Sequence, residues 1–167
     1  MSNVIAVSRQ ACQASYEWQF INSLNVIERT SALVRSQSVL SLSLDPYLER
    51  KLGHYSSGLL LEIAKQVSKS TFTLNCKGPD PARFVVRRIE MEFESYVILD
   101  AEHPVTVECT ISDMTYRDDV VQGGHVAVTF AQGGHTVAGI KFVCTLMAVA
   151  LEERLEKGLR KRLAAAK

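Results

Sequence analysis

The sequence predicts an α+β domain in which one antiparallel sheet wraps one long helix. Three observations carry that expectation. From Ser57 the apolar residues Leu60, Ile63, Ala64, Val67 and Thr71 fall on one face at helical spacing, with Gly58, Glu62, Lys65, Gln66 and Lys69 opposite. After this stretch, four runs alternate with a period of two, the signature of half-buried strands. The last two runs are joined by Ala131-Gln132-Gly133-Gly134-His135, a hairpin sequence, because glycine tolerates the positive φ of a tight turn.

Taken in order, residues 1–30 are expected to form an N-terminal arm or a short helix. Ile21, Leu24 and Ile27 are spaced by three within Ser15 to Ile27, and Trp18 is either a hydrophobic anchor for that segment or a functional aromatic. From Leu33 the period becomes two. Val34, Leu40, Leu42 and Leu44 share a parity with Ser36 and Ser38, while Arg35, Gln37, Ser41 and Ser43 take the other. Asp45-Pro46 ends the strand, since proline offers no N–H and disfavours helix in its predecessor. Tyr47 to Gly53 leads to the helix, capped by the hydroxyl of Ser56 or Ser57, and Asn75 to Pro81 is a loop on turn chemistry. The four strand runs are Phe84 to Phe93, Pro104 to Ser112, His125 to Phe130 and Thr136 to Met147, with Gly123-Gly124 expected to break the chain before the hairpin. The clearest run sets Val105, Val107, Cys109 and Ile111 inward against Thr106, Glu108 and Thr110. Residues 31–148 therefore make the sheet-and-helix domain. Residues 149–167 follow as an amphipathic helix with Leu151, Leu155, Leu159 and Leu163 on one stripe.

A length of 167 residues suits one domain, and a net charge of +1 gives no global field for nucleic acid. No run approaches the ~20 apolar residues that cross a bilayer, and the first twenty residues do not read as a secretory signal. Cys12, Cys76, Cys109 and Cys144 lack metal-ligand spacing and are expected as reduced thiols of a cytoplasmic protein. One such domain leaves a sheet edge open, so a homodimer is expected.

The order strand, helix, four strands matches the hotdog topology. Within the helix, Leu59-Leu60-Leu61-Glu62-Ile63-Ala64-Lys65-Gln66 resembles the signature of hotdog enzymes that act on acyl thioesters. More narrowly, the chain resembles the A-factor biosynthesis hotdog family and its D-H-x-P-G-M-x-L-L-E-A-x-R-Q motif. It matches at His54, Leu60, Leu61, Glu62, Ala64 and Gln66, and departs with Gly53 for Asp, Ser56-Ser57 for Pro-Gly, Ile63 for Ala and Lys65 for Arg. Phe93 to Val105 resembles the family's F-x-x-F/Y-x-x-L/P-x-x-P-V run. The similar acyl-carrier-protein dehydratases would place a histidine where this chain has Leu48, which argues against dehydration by a His/Glu pair.

The resemblance implies a β-ketoacyl or hydroxyacyl thioester, carried on the phosphopantetheine of an acyl carrier protein or on coenzyme A, with no other cofactor. Acyl transfer or condensation is the first expectation; dehydration, isomerisation, hydrolysis or non-catalytic binding are the alternatives. Chemically, such a site needs donors for a developing oxyanion, which helix N-terminal N–H groups at Ser57 and Gly58 can supply. It also needs an acid or base, for which Glu62 and His54 are candidates, with Gln66 orienting Glu62 or holding a carbonyl. Glu62 and Gln66 can equally serve backbone groups of the wrapping sheet, and His54 can be a plain connector residue. Arg87 and Arg88 point to opposite faces of a strand, so one of them, Arg87 the first candidate, meets a phosphopantetheine phosphate; a solvated strand face is the alternative. The basic residues Arg154, Lys157, Arg160 and Lys161 either meet an acidic carrier or are solvated. His103, His125 and His135 lack ligand spacing, so no metal is expected.

Overall fold

Two strands at different places in one sheet need a connection that crosses its face, and here that connection contains the long helix. The computed structural model describes residues 4–8, 19–40, 53–78 and 82–165. Among them are strands β1 (Val4–Ala6), β2 (Ser23–Arg29) and β3 (Val34–Val39), helix α1 (Ser57–Asn75), strands β4 (Ala82–Phe93), β5 (Thr106–Arg117), β6 (Val120–Gln132) and β7 (His135–Ala148), and helix α2 (Val149–Ala165). The strands form one sheet in the order β1-β2-β3-β5-β6-β7-β4, every pair antiparallel. The chain leaves β3 on one side, runs through α1 across the sheet and returns as β4 at the far edge. This is the expected sheet wrapped on a helix.

The alternation read in β5 holds: Val107, Cys109 and Ile111 are fully buried against α1. Leu60, Ile63 and Val67 answer from the helix, also buried, each worth ~2 kcal/mol of apolar transfer. Phe84 joins from β4, edge-on to both Phe72 and Phe142. The hairpin turns at Gly133 and Gly134, with φ of 59° and 83°, and closes on the pair Gln132 and His135.

Two expectations change. Of the helix or arm expected over Ser15 to Ile27, no helix forms among the described residues: from Ser23 the chain is strand β2, which pairs with β3 across a bulge between Val26 and Glu28. Gly123-Gly124 does not break the chain but lies inside β6, where sheets and loops crowd the backbone. A Cβ on Gly123 would sit 2.3 Å from the Cys144 carbonyl oxygen, so only hydrogen fits. The true break before β6 is the turn at Asp118 and Asp119, both at positive φ. Trp18, Cys12, Leu48, the Asp45-Pro46 stop and the outer half of the strand expected from Leu33 lie outside the described residues.

Candidate functional site

The first turn of α1 opens onto a cavity of about 490 Å³ lined by His54 to Ser57, Leu60 and Phe93 to Val97. Two short segments build it. Gly53 turns the chain at φ 61°; His54 then bridges Ile98, and the Tyr55 N–H donates to the Val97 carbonyl at 2.8 Å. This pairing clamps the approach to the helix beside the exit from β4. The His54 ring rests on that of Tyr96, centroids 5.1 Å apart.

Helix N-termini leave donors without intrahelical partners. Ser56 is the N-cap, its Oγ accepting from the Leu59 N–H at 3.3 Å, and its carbonyl accepts from the Leu60 N–H at 3.0 Å. The Ser57 and Gly58 N–H groups remain, at the positive end of the helix dipole. Nothing lies within 4 Å of where a Gly58 Cβ would be. Ser57 lines the cavity, and Gly58 follows it in an exposed first turn.

Glu62 and Gln66 lie elsewhere. Neither lines this cavity. The Glu62 carboxylate, with its side chain 12% exposed, pairs with Lys65 Nζ at 2.8 Å and accepts a long bond of 3.5 Å from Gln66 Nε2. Gln66 is wholly buried, and its Oε1 accepts the Phe20 N–H at 3.0 Å. At Gln66 the face expected to be polar is thus covered by Phe20, while Glu62, Lys65 and Lys69 stay half-buried. Gln66 is what holds Phe20 to the helix, the backbone-serving alternative for this residue. Arg87 is the extra residue of a bulge between Val86 and Arg88 on the edge strand β4. It is exposed and does not line the cavity.

Glu94 and Tyr96 line the cavity, although no chemical role was expected for them. Their signal was the family-like run from Phe93, which marks a positioned loop rather than a strand end. Cys109 and Cys144 are buried, and burial pushes their thiols up to about 12; the half-buried Cys76 is also raised by desolvation. Among the described residues no cluster of three His, Cys, Asp or Glu side chains could hold a metal ion. No helix there is long and apolar enough to cross a membrane.

A single antiparallel sheet curved around a long helix, with β4 at its edge after the helix, defines a hotdog protein. A candidate thioesterase of Lactococcus lactis shares the fold with a TM-score of 0.54 at 10% identity, covering 75% of this chain and 90% of that one. A Streptococcus mutans protein solved with acetyl-CoA aligns at 0.48 and 15%, covering 80% and 95%. A hypothetical thioesterase of Streptococcus pneumoniae with coenzyme A aligns at 0.47 and 15%, covering 75% and 86%. No curated protein sequence matches the chain. The model of the A-factor biosynthesis hotdog domain matches residues 25–148, and the chain belongs to that family.

Proposed function

We propose that the protein is a cytoplasmic enzyme that transfers or condenses the acyl group of an acyl thioester, and that the chemistry sits at the amino end of α1. The observation that carries this is the cavity itself, which brings His54 and Ser57, the first residue of the helix, together in one place of suitable size. The thioester carbonyl oxygen lies toward the Ser57 and Gly58 N–H groups. His54 takes the proton of an acceptor hydroxyl, whose oxygen attacks the thioester carbon; the oxyanion is held by the helix terminus. Collapse expels the thiolate, which takes the proton from His54 and leaves as the carrier thiol. Family membership and the matched motif support a carrier-protein or coenzyme A thioester as the donor, and the open edge of β4 supports a homodimer.

A second reading, a non-catalytic acyl-binding module, is favoured by one fact. Glu62, the motif carboxylate, is already engaged by Lys65. Intact-mass spectrometry separates the two. The protein is incubated with acyl-carrier-protein and coenzyme A thioesters, with and without small hydroxylated acceptors. A lost acyl group and a new acyl ester are the expected outcome, with Glu62→Gln retaining activity and His54→Ala losing it. Every thioester recovered unaltered, with one raising Tm, would make the protein a binding module.

A further inference from the structure

Two exposed apolar patches sit at opposite ends of β4. At its Phe93 end, Phe93, Tyr96 and Ile98 are 47%, 75% and 53% exposed beside the cavity. At its Ala82 end, α2 departs, with Leu151, Leu155, Leu159 and Leu163 all between 49% and 61% exposed. Arg83 of β4 ties down its first turn, Nε to Glu152 at 3.0 Å. The strand separates the patches by about 36 Å, whereas a helix the length of α2 reaches about 25 Å. Within one chain they do not meet.

The edge strand carries the means to bring them together. Its first half holds Arg83, Arg87 and Arg88, and its second half, with the residue just past it, holds Glu90, Glu92 and Glu94. Paired antiparallel with its own copy about a two-fold axis at Ile89, each basic half runs along the partner's acidic half, with Arg88 opposite Glu90. Opposite charges across such a pair are favourable, and like charges are kept apart. Ile89, 44% exposed at the strand's middle, meets its own copy at the axis. The same operation sets the Ala82 end of one protomer beside the Phe93 end of the other.

We propose that the leucine stripe of α2 covers the Phe93, Tyr96 and Ile98 patch of a second copy of this chain, so that each protomer's cavity is walled by the other's C-terminal helix. That the covered cavity is the thioester site rests on the preceding reading; the placement of α2 does not.

The test uses the full chain with a photo-cross-linking amino acid at position 159. Irradiation should give a species of twice the chain mass, with the cross-linked peptide containing Phe93 to Ile98. A monomer in sedimentation, a cross-link within one chain, a cross-link from one α2 to the other, or a dimer without cross-link would overturn the placement. So would capture of α2 by anionic phosphatidylglycerol vesicles or an acyl carrier protein with the cross-link absent. Arg88 and Glu90 also pair within one strand at 2.6 Å, so the swap is made between chains: Arg88→Glu and Glu90→Arg should each weaken their own dimer about tenfold, and mixing the two variants should restore it as a heterodimer; failure of the mixture to pair counts against the strand register. Leu155→Glu with Leu159→Glu should raise KM for the thioester about tenfold at unchanged kcat. An intact cross-link with every thioester untouched would keep the placement and overturn the thioester reading instead.

Discussion

The two ends of α1 are built on opposite plans. At the amino end Ser56, Ser57 and Gly58 are exposed, and the turn faces a cavity. Over its second half the helix buries Gln66, Ser68, Ser70, Thr71 and Asn75, an unusual density of polar groups for a core. All but Gln66, which accepts from Phe20, are answered locally. Ser68, Ser70, Thr71 and Asn75 donate to the carbonyls of Ala64, Gln66, Val67 and Thr71, four residues back. Ser36 reaches Thr71 from β3 at 2.6 Å. A polar side chain in the second half of this helix is therefore a fastening, whereas the first turn keeps backbone N–H groups without intrahelical partners. Position along the helix, not residue type, separates the two roles.

The comparison breaks most sharply at Gln66. Gln66→Met keeps the volume but leaves the Phe20 N–H without its acceptor, at a cost of about 3 kcal/mol. Urea unfolding should show that loss while kcat/KM per folded molecule holds. A stable variant with collapsed turnover would move the chemistry into the locked half. At the open end the opposite is expected. His54→Ala should lower kcat about 100-fold, ~2.7 kcal/mol in the barrier, with unfolding midpoints little changed.

The locked half also predicts a pH response. The Cys109 thiol lies against Ser68, Sγ to Oγ 3.8 Å, and burial raises it from 9.0 to about 12. Because the folded value is the higher one, the associated stability is complete below pH 9 and is lost as pH rises toward 12. By pH 10 the loss is about 1.4 kcal/mol. The stability slope between pH 8 and pH 10 should be shallower in Cys109→Ala by that amount; an equal slope would mean the thiol ionises in place.

Much of the fold was legible because β5, the hairpin and α1 repeat a single period without interruption. The segment that misled does so through its spacing. Ile21, Leu24 and Ile27 imitate a helix, but in a strand Leu24 and Ile27 have opposite parity, so that Leu24 is buried and Ile27 is exposed. Gly123-Gly124 read as a break because sequence shows flexibility, whereas the demand for hydrogen at Gly123 comes from β7 across the sheet. Of the residues expected at the helix start, His54 and Ser57 line the cavity, and Gly58 follows in the exposed first turn. Gln66 was placed on an open face because its cover, Phe20, is 46 residues away in sequence, and periodicity carries no record of that.

Ser56 lets the two functions of the open end be separated. Its side chain stabilises the helix through Leu59, and its position sets the charge at the cavity mouth. Ser56→Ala should cost about 1 kcal/mol through loss of the cap. Ser56→Asp keeps a capping oxygen and adds a carboxylate that the helix dipole favours, so stability should match or exceed that of the native chain. The same carboxylate stands beside the donors proposed to hold an oxyanion, and there it repels developing negative charge. Stability and turnover should therefore move apart: native-like unfolding in Ser56→Asp, with kcat reduced by more than in Ser56→Ala. If the Asp variant turns over at the native rate, negative charge does not develop at this terminus, and the amino end of α1 serves as a wall of the cavity alone.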